Sequence, residues 1–201
     1  MSAAATQSSA LVSLALPKNN VTRLATQILL AIAGSMLLAV SARTKVALGP
    51  VDLSLQTLVV MLIGAAYGWR LGVATVLLYL AQGAYGLPVF QSTPEKGIGL
   101  AYMMGPTGGY LVGFVVLAAV AGWAADRGLD RNPFKLFGVL LAGEAMMIAL
   151  GFGWLALLIG ADKAWTFGVA PFIVPDLIKV ALAASLVPAV WQVIARLRAS
   201  L

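Results

Sequence analysis

Cysteine and histidine are both absent from the 201-residue sequence. Without cysteine there can be no disulfide, thiolate metal site or cysteine nucleophile, and without histidine the commonest general base and metal ligand is missing. Charge is scarce as well: 10% of the residues are charged and 61% are hydrophobic, whereas about a quarter are charged in soluble proteins. We therefore expect an all-α integral membrane protein with no catalytic site, no metal site and no cofactor.

Sequence motifs for catalysis are also missing. No lysine stands in a Walker A context, so the chain cannot hydrolyse ATP by that route, and neither H-E-x-x-H nor G-x-S-x-G occurs. The net charge of +6 does not indicate nucleic-acid binding, because the basic residues stand singly at the ends of apolar runs. The lipid bilayer is the expected surrounding.

Six apolar segments are long enough to be candidate membrane helices, since a crossing takes about 20 residues. They cover 22–42, 53–69, 71–88, 107–125, 135–159 and 172–196. The second and third are short and are separated only by Trp69-Arg70, which predicts a tight turn. We expect a flexible tail over residues 1–20 and a six-transmembrane-helix, substrate-binding bundle over residues 21–201.

The distribution of basic residues predicts the orientation, since cytoplasmic loops are enriched in lysine and arginine. With both termini on one side, that side holds eight basic residues: Lys18, Arg23, Arg70, Arg127, Arg131, Lys135, Arg196 and Arg198. The other side holds four: Arg43, Lys45, Lys96 and Lys163. We expect a multi-pass protein of the bacterial inner (plasma) membrane with both termini in the cytoplasm.

An acid and a base, Asp176 and Lys179, lie three residues apart at the start of the sixth segment. That spacing puts both side chains on one face of a helix. Charge within a bilayer is costly and is usually kept for a substrate site, an ion path or a relay, although a self-satisfied ion pair is the structural alternative. The predicted orientation places the pair near the outer surface, beside helix N-termini that carry partial positive charge. We favour a substrate site.

The longest outer connection, residues 83–110, is rich in glycine and aromatic residues. Irregular backbone at membrane depth survives where it is covered by protein or lines a cavity, so we interpret this segment as a lid or pocket wall. A solvated loop with Thr107 capping the next helix is the alternative.

Three other polar side chains fall within apolar segments. Gln56 either lines a pocket or merely begins its helix, Gln82 faces either a pocket or a neighbouring helix, and Glu144 is either a proton-coupling group or paired within the bundle. Helix one carries Ala31, Ser35 and Ala39 at four-residue spacing, which permits close packing inside the bundle or against a partner.

Four segments together resemble the BioY family, the biotin-specific S component of energy-coupling-factor (ECF) transporters. They are PVDLSLQTLVVMLIGAAYG, YLAQGAYGLPVF, GPTGGYLVGF and PFIVPDLIK. The chain departs from many relatives in one place, with Val174-Pro175 where they have Pro-Gly before the acid. The change affects the turn but keeps Asp176 and Lys179.

The resemblance implies a six-helix bundle of the ECF S-component type that binds biotin at its outer side. Asp176 and Lys179 are implied to hydrogen-bond the vitamin. The loops around Phe90 and from Gly105 to Tyr110, with Thr107 and Gly108, are implied to enclose it, and Gln82, near the end of helix three, is implied to contact it. Gln56 and Tyr85 in the outer segments are further candidate contacts. Ala31, Ser35 and Ala39 are implied to dock on the transmembrane coupling subunit, which works with ATPase subunits.

Two other functions remain open from the sequence. A self-sufficient, proton-coupled secondary carrier would use Glu144 or Asp176 as its coupling group. An S component for another vitamin would keep the same fold with a different ligand. For biotin itself, the sequence leaves open whether Lys179 meets the ureido oxygen or the carboxylate.

Overall fold

The computed structural model describes residues 10–46 and 53–199 and is almost wholly helical. Its α-helices are α1 (Asn20–Arg43), α2 (Gln56–Ala84), α3 (Gly99–Met103), α4 (Gly108–Asp126), α5 (Pro133–Ile159), α6 (Ala161–Gly168) and α7 (Ile173–Ala199). Short 3-10 turns cover Leu11–Leu14, Leu129–Arg131 and Ala170–Phe172. Two short strands, β1 (Lys45–Val46) and β2 (Leu53–Ser54), pair antiparallel between α1 and α2.

Helix α2 reverses direction at Gly68, where φ is 77° and ψ is 173°. In a straight helix Gln56 and Tyr79 would be about 35 Å apart, yet their side chains are hydrogen-bonded over 2.7 Å. The first half of α2 (residues 56–67) and its second half (residues 69–84) are therefore antiparallel neighbours. Glycine fits this turn because only glycine adopts such a backbone conformation without strain.

The predicted six-helix bundle is confirmed, with α2 supplying the second and third members. Five helical stretches of the described chain are long and apolar enough to cross a membrane, with α2 counted as one. The first half of α2 is about 18 Å long at 1.5 Å per residue, which is shorter than the hydrocarbon core. The turn lies at Gly68, next to the predicted Trp69-Arg70.

The bundle has two chemically distinct ends. At one end, which we call the terminal end, three arginines stack on tryptophans: Arg70 on Trp69, Arg127 on Trp123 and Arg131 on Trp191, with 5.6, 4.1 and 4.8 Å from guanidinium to ring centre. The opposite end, the loop end, holds the β1–β2 ladder, the segment 85–107 and α6. Arginine and tryptophan together suit a membrane interface.

The predicted flexible tail does not fit residues 10–16. Ala10 is fully buried and Val12 nearly so, and they pack with Ala125 and Leu71 at the terminal end. Burial of these small apolar side chains explains why the segment is folded. The remainder of the predicted tail before residue 10 lies outside the described residues.

Candidate functional site

A partly enclosed cavity lies at the loop end of the bundle. Its apolar and aromatic lining consists of Tyr102, Tyr110, Leu111, Phe114, Met147 and Phe172. Its polar lining consists of Ser54, Gln56, Thr57, Gln91, Thr107 and Lys179. A few polar groups in a mostly apolar wall are what orient a small ligand.

Lys179 is the charged residue in the wall of this cavity. Its ammonium nitrogen lies 2.8 Å from Asp176 Oδ1 and donates to Thr57 Oγ1 over 3.0 Å. Asp176 is 2% exposed and Lys179 is 5% exposed. The ammonium is thus held in one place by two acceptors from different helices, which a buried charge requires.

Asp176 lies behind Lys179 in the first turn of α7. A carboxylate is favourable there, because the N-terminus of a helix carries partial positive charge. Its second oxygen, Oδ2, is buried and has no hydrogen-bond donor among the described residues. Since a carboxylate offers about four lone-pair sites, Asp176 retains acceptor capacity beyond its bond to Lys179.

Glu144 lies beside this pair, one helical turn from Met147 in the cavity wall. It is 2% exposed and interacts electrostatically with both Asp176 and Lys179. Neither of its carboxylate oxygens has a donor within the described part of the chain. The sequence prediction left Glu144 open between coupling and pairing, and the structure places it against the charged pair.

Gln56 lines the cavity but uses its amide nitrogen within the wall. That nitrogen donates to the Tyr79 phenol oxygen over 2.7 Å, and the phenol donates to the Val89 carbonyl over 3.1 Å. This chain of bonds ties the two halves of α2 to the segment that follows them. Gln56 therefore fixes the wall as well as lining it.

Tyr110 lines the cavity from α4, as predicted for a pocket residue. Its hydroxyl donates to the Gly168 carbonyl over 2.7 Å, and its ring stacks on Phe172 with 6.3 Å between centroids. Thr107, also predicted, lines the same space just before α4 and makes no side-chain capping bond. The segment 83–110 thus forms part of the wall of the pocket.

Three predicted contacts lie behind the cavity wall. Phe90 is buried and stacks on Tyr102 with 5.0 Å between centroids. The Gly105 carbonyl accepts a bond of 2.9 Å from the Trp154 indole, and Gly108 is buried against the same indole. These residues support the lining and do not face the cavity.

Two predicted contacts are placed elsewhere by the structure. The Tyr85 side chain is 91% exposed, and Gln82 donates to Ser35 of α1 over 3.2 Å. Of the two alternatives for Gln82, the structure shows the contact with a neighbouring helix. The phase of the last turn of α2 explains the difference, because it directs position 82 towards α1 and not towards α7.

The small-residue stripe of α1 faces the bundle. Ser35 is fully buried, while Ala31 and Ala39 are partly buried. Close approach to α2 explains the small side chains, because a Cβ at neighbouring Gly34 would lie 2.6 Å from Thr75. Of the two readings of the stripe, internal packing accounts for Ser35.

Several cavity residues were not predicted from the sequence, above all Thr57 and Gln91. Thr57 follows Gln56 directly, but its partner Lys179 is 122 residues away. Gln91 follows Phe90, and its amide nitrogen is buried with no partner among the described residues. The only sequence signal for these two residues was a polar side chain in or beside an apolar segment. The fold is needed to show that both side chains face the cavity.

The comparisons with known proteins agree on one family. The BioY family profile matches residues 7–196. The chain is 40% identical over 147 residues to the probable biotin transporter BioY of Pyrococcus horikoshii, covering 73% of this chain and 85% of that protein. It is 38% identical over 149 residues to the biotin transporter BioY of Thermotoga maritima, covering 74% and 85% respectively.

Among solved structures, the fold is similar to that of the S-component for biotin from an ECF-type ABC transporter. The TM-score is 0.71, and the match covers 88% of this chain and 95% of that chain. Sequence identity over this match is 23%, so the likeness shows the fold. The S-component type of bundle is therefore confirmed, and the chain is a multi-pass membrane protein of a transporter family.

Proposed function

We propose, since the chain belongs to the BioY family, that this protein captures biotin at the outer face of the plasma membrane. It would serve as the substrate-binding subunit of a vitamin uptake transporter. The observation that carries the proposal is Lys179, a charged residue held by Asp176 and Thr57 in the wall of an otherwise mainly apolar cavity.

The chemistry of biotin matches the lining. Its ureido ring has two N–H donors and one carbonyl acceptor, its thioether ring is apolar, and its side chain ends in a carboxylate. Lys179 donates to an oxygen of the ligand, and Asp176 accepts from a ureido N–H through its remaining lone pairs. Phe114, Met147 and Phe172 cover the apolar ring. A ligand lacking a matching polar group would leave a buried partner unpaired and be rejected.

Gln91 supplies a second donor to the proposed site. Its buried amide nitrogen has no partner in the described part of the chain and belongs to the cavity lining. Two donors, Lys179 and Gln91, suit a ligand with two separate acceptor groups. In biotin these are the ureido oxygen and the carboxylate.

We propose that both termini are cytoplasmic and that the loop end faces outward. The excess of basic residues on the terminal side supports this orientation, as do the arginine–tryptophan pairs at that end. The cavity then opens where external biotin arrives, and release inside requires the bundle to change its position or shape.

We further propose that an ECF transmembrane coupling subunit and ATPase subunits drive delivery into the cell. The solved S-component with the same fold comes from an ECF-type ABC transporter, and the sequence has no Walker A motif. Uptake of labelled biotin into cells tests this proposal. ATP depletion should abolish uptake while a proton ionophore alone leaves it intact.

A proton-coupled secondary carrier is the second candidate, and the position of Glu144 beside Asp176 favours it. In that case the ionophore abolishes uptake in cells whose ATP level is maintained. The remaining alternative is an S component for another vitamin, and competition binding distinguishes it from a biotin-specific one. In that case thiamine or another vitamin would displace biotin.

A further inference from the structure

Three buried carboxylate oxygens lie together beside Lys179 without a donor. They are Asp176 Oδ2 and both oxygens of Glu144, and no described residue donates to any of them. The two side chains are nevertheless within hydrogen-bonding reach of each other. Two ionised carboxylates in contact repel each other, and a hydrogen bond between them requires that one carry a proton.

The charge balance of the cluster points to the same conclusion. If both acids were ionised, Lys179 would face two negative charges, which leaves one net charge buried within the membrane-spanning part of the bundle. With one proton shared by the acids, the cluster is neutral. A neutral cluster is strongly favoured at this depth, because isolated charge in a bilayer is costly.

The geometry assigns the proton to Glu144. Asp176 already accepts from the Lys179 ammonium at 2.8 Å and lies in the first turn of α7, so its ionised form is stabilised twice. Glu144 stands in the middle of α5 and has neither advantage. The α4 side chains against neighbouring Gly143 are apolar, Leu117 and Val120.

We propose that Glu144 is a positioning residue of the ligand site, a neutral carboxylic acid that donates its proton to Asp176 Oδ2. Lys179 bonds Oδ1, so the two donors together fix the Asp176 carboxylate, and lone pairs remain for a ligand N–H. The inference rests on the proposed biotin site for its binding consequence. The protonation itself stands independently of any ligand.

Infrared spectroscopy of the purified full-length protein without ligand tests the protonation. The wild type should show the C=O stretching band of a protonated carboxylic acid at pH 7. Glu144→Gln should lack that band. Asp162→Asn, at an exposed position in α6, is the control and should retain it unchanged. A band that persists in Glu144→Gln overturns the assignment.

Titrations of the protein with biotin between pH 6 and pH 9 test the positioning role of Glu144. Lys179 and Tyr110 are the other titratable groups near Asp176, and both are present in every one of these variants. Wild-type affinity should fall towards the alkaline end as Glu144 loses its proton. Glu144→Gln, which keeps a neutral donor, should bind as the wild type does at pH 7 without that fall.

Glu144→Leu removes the donor and should weaken binding by about tenfold at pH 7. Wild-type affinity in Glu144→Leu, or an alkaline fall that persists in Glu144→Gln, overturns the positioning role. The infrared result requires no biotin, so a failure of the proposed function leaves the protonation test intact. If Glu144→Leu does not fold, the pH profile of Glu144→Gln decides alone.

Discussion

The Lys179 ammonium donates to the Thr57 hydroxyl over 3.0 Å, across 122 residues of sequence. This bond joins α7 to the first turn of α2 at the wall of the cavity. Together with Asp176 it gives the buried ammonium two fixed acceptors. Thr57 thereby decides where the positive charge of the cavity stands.

Replacing Thr57 should accordingly weaken the proposed ligand binding. Thr57→Val keeps the shape but removes the acceptor, and a hydrogen bond to a charged group contributes about 1.5–3 kcal/mol. We expect a biotin dissociation constant at least about tenfold higher by titration calorimetry, and near-normal affinity for Thr57→Ser. Thr75→Val, at a buried position away from the cavity, is the control. Equal affinity in Thr57→Val would remove Thr57 from the site.

Gln91 should affect affinity through its unpaired amide nitrogen. Gln91→Leu removes one neutral hydrogen bond to the ligand, and we expect affinity to fall by about tenfold. Measuring biotin and biotin amide side by side identifies the partner: if Gln91 binds the carboxylate, the variant should discriminate less between the two. Gln192→Leu, exposed near the end of α7, should bind normally. Unchanged binding by Gln91→Leu would contradict its role.

Gly151 should be essential for the position of Tyr110. A Cβ at position 151 would collide with the Tyr110 ring, which the bond to Gly168 holds in place. Overpacking of this kind costs about 1–3 kcal/mol, so Gly151→Ala should lower Tm by several degrees and weaken biotin binding. Gly153→Ala is the matched control in the same helix, because nothing lies within 4 Å of its added Cβ. Equal Tm values for the two variants would contradict the packing described.

The absence of cysteine makes the orientation directly measurable. Lys163 in α6 and Lys18 before α1 are both exposed at opposite ends of the bundle. In intact cells, a membrane-impermeant maleimide should label Lys163→Cys and should reach Lys18→Cys only after permeabilisation. The cysteine-free wild type gives the background. The reverse pattern would place the cavity on the cytoplasmic side.

The sequence predicted what depends on hydropathy and local spacing. Long apolar segments gave the six helices, and the i, i+3 spacing brought Asp176 and Lys179 together. Helices α3 and α6 were missed, because elements this short leave little periodic signal.

The tertiary contacts were not predictable in the same way. Thr57 meets Lys179 only because α2 folds back at Gly68 and α7 returns beside it. Gln82 and Tyr85 were predicted to contact ligand, but the phase of the last turn of α2 directs them to Ser35 and outward. A shift of one residue moves a side chain about 100° around a helix, so sequence position alone could not settle them.

Biotin titration of the purified wild type and of Lys179→Ala tests the central claim most directly. Removing the ammonium takes away a charge-assisted bond worth about 1.5–3 kcal/mol and leaves the Asp176 carboxylate without its cation, so affinity should fall by one to two decades or more. Desthiobiotin and thiamine are the comparators, and an unchanged Tm for the variant shows that it is folded. Selective, tight biotin binding by the wild type that is lost in Lys179→Ala is the predicted result. Absence of biotin binding by folded wild type, or undiminished binding by Lys179→Ala, would contradict the account.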